Sequence, residues 1–95
     1  MRNYELAFIV RPDLEEEALA EIREKISGLI TSRGGQVTAV DLWGRRRLAY
    51  PIADQLEGQY IIMRFELDPL HLPDLERMMK LDSRIIRRLL IRTDE

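Results

Sequence analysis

The chain has 95 residues, 45% of them hydrophobic and 34% charged, with a formal net charge of −2. Such a length implies a single domain, 1–95, with one core; the composition excludes a disordered chain, and the slight acidity excludes a general basic field for nucleic acid. With no cysteine and one histidine, disulfides and thiolate metal sites are excluded, and the lack of a signal-like or membrane-length apolar run predicts a cytoplasmic protein with no membrane role.

In chain order, Tyr4 to Val10 alternates, with Leu6, Phe8 and Val10 on one face and Glu5, Ala7 and Ile9 on the other, which predicts a strand. Pro12-Asp13 ends it. Asp13 with Glu16 three residues later reads as a capping box for a helix. Leu14, Ala18, Leu19, Ile22, Ile26, Leu29 and Ile30 make its apolar stripe, and Gly34-Gly35 stops it.

Val37 to Tyr50 reads as one long strand kinked at Gly44 by a bulge. A polar connection over Pro51 to Glu57 leads to a second alternating run that opens at Gly58. Ile61, Met63, Phe65 and Leu67 face one way there, and Tyr60, Ile62 and Arg64 the other. These two strands pair as an antiparallel hairpin. After Asp68-Pro69 a shorter helix turns Leu72, Leu75, Met78 and Met79 inward, with Pro73 in its first turn. Asp82-Ser83 ends it, and Arg84 to Arg92 forms a last strand whose two faces both mix Arg with aliphatics.

The order β-α-β-β-α-β is the split-βαβ, ferredoxin-like α+β arrangement: a four-stranded antiparallel sheet with two helices on one face and the other face open. Its chemistry is not that of an enzyme. His71 has no second metal ligand or partner base, Ser27, Ser32 and Ser83 lack a neighbouring base, and Glu15, Glu16 and Glu17 spread around a helix instead of converging on one ion. Met63, Met78 and Met79 sit at core spacing.

Thirteen of the fifteen basic residues are Arg, the side chain whose planar fork suits phosphate and carboxylate. Arg45, Arg46 and Arg47 alternate sides of a strand, so at least one projects over the sheet, and Tyr50 follows as an aromatic neighbour. The same arginines also suit a protective role, keeping an exposed strand edge from pairing with other chains. Arg87 and Arg88 in the last strand, Arg2 beside it, and outward Tyr60 and Arg64 give the open face a mixed basic and apolar character that suits a partner.

The segment Gly44-Arg45-Arg46-Arg47-Leu48-Ala49-Tyr50-Pro51-Ile52 resembles the signature of the bacterial small-subunit ribosomal protein six family. Met1 to Glu5, Pro12-Asp13-Leu14, Gly58-Gln59-Tyr60 and Ile85 to Arg92 extend the likeness over nearly the whole chain. The resemblance implies a ferredoxin-like structural constituent of the small (30S) ribosomal subunit in the cytoplasm, a ribonucleoprotein component of translation without catalysis, cofactor or small-molecule substrate. It implies binding to the central domain of 16S ribosomal RNA together with small-subunit ribosomal protein eighteen during assembly. Contact roles follow for Arg46 and Arg47, and with them Arg45, Tyr50 and Arg2. Many relatives carry an acidic C-terminal extension, whereas this sequence stops at Thr93-Asp94-Glu95. Two alternatives fit the same strand order: an RNA-recognition-motif protein, which needs stacking aromatics where Ile62 and Arg64 stand, and a regulatory or small-molecule domain that oligomerises through its sheet.

Overall fold

The computed structural model describes residues 1–94. It contains β1 (Arg2–Val10), α1 (Glu16–Ser32), β2 (Gln36–Ile52), β3 (Gln55–Leu67), a 3₁₀ turn at Pro69–His71, α2 (Leu72–Leu81) and β4 (Ile85–Arg92). The strands form one antiparallel sheet in the order β2-β3-β1-β4, as the alternation and the two βαβ halves predict.

The core lies between this sheet and the helices. β1 supplies Tyr4, Leu6, Phe8 and Val10, and β3 supplies Ile61, Met63, Phe65 and Leu67; they meet Leu19, Ile22, Ile26 and Ile30 of α1 and Leu75 and Met79 of α2. Period two in the strands and three to four in the helices put all of these on one side of their elements. Tyr4 and Phe65, cross-strand partners, stack with ring centroids 5.5 Å apart.

Two boundaries differ from the sequence reading. The first helix begins at Glu16, with Glu15 at its N-cap and no side-chain cap bond, so Asp13 and Glu16 form no capping box. The physical reason lies in the preceding loop. Gln59 donates its side-chain amide to the carbonyls of Arg11, Pro12 and Leu14 at 3.3, 3.4 and 2.9 Å, and Arg45 donates to that of Pro12 at 2.7 Å. Tied to the hairpin this way, residues 11–15 do not enter the helix. At its other end α1 stops as expected, with Gly34 at φ +82°.

The second difference is the connection between the central strands. Pro51 to Glu57 is not a loop: β2 runs through Ile52, β3 begins at Gln55, and the turn is Ala53-Asp54, with φ of 50° and 64°. Two successive left-handed residues are what a two-residue hairpin turn needs to match strand twist, and Asn-Gly is its usual signal. Ala-Asp carries no such signal. The expected bulge at Gly44 is present: φ is +78° and the pairing register shifts between Leu42 and Gly44.

Candidate functional site

The strand order leaves the sheet face opposite the helices uncovered. On it, Ala7 and Ile9 of β1, Tyr60 and Ile62 of β3, Arg87 and Leu89 of β4 and Trp43 of β2 line a hollow of about 280 Å³. Trp43, Leu89 and Ile91 are exposed large apolar side chains, more than a covered sheet would leave in water.

One residue of the arginine run, Arg46, stands beside this hollow. Pairing of Arg46 with Gly58 puts Arg46 on the open face, where its guanidinium lies 5.2 Å from the centre of the Trp43 ring. Arg45 and Arg47, opposite Gln59 and Glu57, take the other side by alternation. There Arg45 reaches the Pro12 carbonyl, as described above. Trp43 itself is oriented by a 2.9 Å hydrogen bond from its indole N–H to Asp41.

Tyr50 and Arg87 meet although β2 and β4 are opposite edges of the sheet. Arg87 donates to the Tyr50 hydroxyl at 2.9 Å, and its guanidinium lies 6.0 Å from the ring centre. The hairpin therefore reaches over the open face, across Ile9. Leu48, 7% exposed, is the one buried residue of β2. It fits because Gly58 has no side chain: a Cβ there would collide with the Ile9 side chain and lie 3.7 Å from Leu48.

Six of the thirteen arginines hold a carboxylate within ion-pair distance: Arg23, Arg33, Arg64, Arg77, Arg84 and Arg92. Among the described residues the other seven have none, and six of those, Arg11, Arg45, Arg46, Arg47, Arg87 and Arg88, gather where β1 ends and the hairpin projects. Arg2 stands at the far end of β1, opposite Leu67. Arg64 lies mid-face, and its charge is met by Glu5 at 3.0 Å. The structure thus brings Arg46, Tyr50, Tyr60 and Arg87 together on the open face, puts Arg45, Arg47 and Arg88 at the same end of the sheet but on its other side, and leaves Arg2 and Arg64 apart.

Two residues of consequence escaped the sequence reading. Trp43 supplies the largest aromatic surface of the open face, and its position one residue before the bulge glycine was the available signal. Asp82, 8% exposed, takes a bidentate grip from Arg84 at 2.9 and 2.8 Å, while Arg84 reaches Glu21 at 2.9 Å and Lys25 stands 3.5 Å from Asp82. Hydrogen bonding from Arg84 holds the Asp82 carboxyl down at about 2, against the opposing effect of burial, and the Asp82 bond raises the Arg84 guanidinium. This cluster ties the end of α2 to α1 and is structural. Among the described residues no group of side chains could hold a metal ion, and no helix is long and apolar enough to cross a membrane.

Comparison with known proteins agrees with this geometry. The profile of the family described as Ribosomal protein S6 matches residues 3–92. The chain is 46% identical to the small ribosomal subunit protein bS6 of Moorella thermoacetica, over all of this chain and 97% of that one. It is 44% identical to bS6 of Heliobacterium modesticaldum, over all of this chain and 99% of that one. The crystal structure of 30S ribosomal protein S6 from Thermotoga maritima superposes with a TM-score of 0.90 at 32% identity, covering 97% of this chain and 87% of that chain. This protein belongs to the ribosomal protein S6 family and is a structural constituent of the small ribosomal subunit.

Proposed function

We propose that the open face and the arginine-bearing hairpin bind the central domain of 16S ribosomal RNA together with small-subunit ribosomal protein eighteen during subunit assembly. The observation that carries this reading is that Arg45, Arg46, Arg47, Arg87 and Arg88, none with a carboxylate partner among the described residues, lie at one end of the sheet, with Arg46 and Arg87 on the open face beside the hollow that Trp43 and Tyr60 line. Arg46, Arg47 and Arg88 keep their forked donors for phosphate, Arg45 and Arg87 keep those not already given to Pro12 and Tyr50, and aromatic rings nearby offer stacking surface. The apolar floor, with Leu89 and Ile91 exposed, is the part suited to a protein. Arg2, at the far end of the sheet, reaches RNA or partner as a separate contact; Arg64 acts mainly through its pairing with Glu5.

The net charge of −2 fits a protein that meets RNA through a local patch and depends on its partner for affinity. The family is structural, not enzymatic. Filter binding to central-domain RNA, with and without the partner, tests the reading. Weak binding alone and binding tighter by about tenfold or more with the partner are expected for a few phosphate contacts. Tight binding by the chain alone would refute it.

A further inference from the structure

The outer half of the hairpin lacks the usual sources of rigidity. Between Arg47 and Ile52 the register breaks, so residues 48–51 have no paired partners on β3. The turn beyond them holds Ala53 and Asp54, neither a glycine, at positive φ, a conformation that costs L-residues energy. Yet Leu48 in this segment is buried and Tyr50 touches the opposite edge strand. Something other than the ladder holds it there.

We propose that the outer half of the β2–β3 hairpin is a strap fastened across the open face by Tyr50 and Arg87, with Leu48 as the wedge beneath. Tyr50 is then a positioning residue: its hydroxyl accepts from Arg87 and its ring faces the guanidinium, so it aims Arg87 and, through the hairpin, Arg46 and Arg47. One face of its ring is turned to that guanidinium. Arg87, to which the strap is fastened, also lines the hollow with Trp43, Tyr60 and Leu89. Its existence is independent of the functional reading, and only its purpose, presetting a binding surface, rests on it.

Amide hydrogen exchange of the free protein tests the strap without RNA or partner, using Tyr50→Phe, which removes the hydroxyl and keeps the ring, Arg87→Gln, and the double variant. Amides of residues 46–57 should exchange faster by about tenfold in each single variant, while those of Leu6, Phe8, Ile61 and Met63 keep their protection. The double variant should match Arg87→Gln, which by itself already removes both the hydroxyl bond and the ring contact. Unchanged exchange in the singles, additive acceleration in the double, or acceleration spread evenly over the sheet would each overturn the proposal. Failure of RNA binding would instead sink the functional reading and leave this exchange pattern intact.

Discussion

Around the hairpin, Arg46, Arg47 and Arg88 meet no carboxylate among the described residues, whereas in the helix layer Arg23, Arg33, Arg77 and Arg84 are all paired with Glu or Asp. The chain has more acidic than basic residues, so acid is not scarce; it is placed elsewhere. Arginines that answer to carboxylates hold the fold together. Arg46, Arg47 and Arg88 keep their hydrogen-bonding capacity for another molecule and contribute little to the free protein's stability.

The sharpest break of that contrast is Asp82→Ala, which leaves the Arg84 guanidinium half-sheltered with only Glu21 beside it. Urea denaturation should show a loss of about 2–4 kcal/mol, somewhat below the ~3–5 kcal/mol of a fully buried pair because Arg84 keeps Glu21. Arg46→Ala with Arg47→Ala should do the reverse. The melting temperature stays within a few degrees, while RNA affinity in the presence of the partner falls about tenfold or more and the salt slope drops by about 0.7–0.9 per lost phosphate contact. A large drop in stability with intact binding would exchange the roles of the two regions.

Acid sharpens the same distinction. The folded Asp82 carboxyl sits at about 2, below its ordinary 3.8. Its stabilisation is therefore fully present above about pH 4 and is lost as pH falls toward 2, about 2 kcal/mol in all by linkage. Asp82→Asn should remove that part of the acid transition, measured by denaturation at a series of pH values, and a transition unchanged by it would place the acid sensitivity elsewhere. The smallest effect belongs to Arg64→Ala. Its pair with Glu5 is exposed on the Arg64 side, so stability should change by less than about 1 kcal/mol and RNA affinity by less than about twofold.

The fold was legible because its signals are periodic and redundant. Leu6, Phe8 and Val10 on β1 and Ile61, Met63, Phe65 and Leu67 on β3 alternate cleanly, and either helix stripe alone would demand a sheet to cover. The hidden parts were set by tertiary contact. Asp13 looks like a cap until Gln59, more than forty residues away, claims the loop's carbonyls. Ala53-Asp54 looks like part of a loop because a left-handed turn without glycine leaves no local mark. At the site, the arginine run was visible as composition, but its division was not. That Arg64 is neutralised and Arg46 lies on a Trp43 ring depends on cross-strand register, which single-strand alternation does not encode.

The strand order carries one more consequence, for the time at which this protein takes shape. β1 is the first strand made, and its neighbours β3 and β4 come late: Tyr4 pairs with Phe65 on one side and with Arg92 on the other. Pairings so distant in sequence are slow to close. A nascent chain can form α1 and the β2–β3 hairpin from local contacts, but the strand at the centre of its core stays half-paired until Ile85–Arg92 has left the ribosome that is making it. Completion of the sheet, and with it of the open face on which Arg87 and Leu89 stand, therefore waits for the last of the four strands, so the chain cannot present that face to a new ribosome until β4 has emerged from the one that made it.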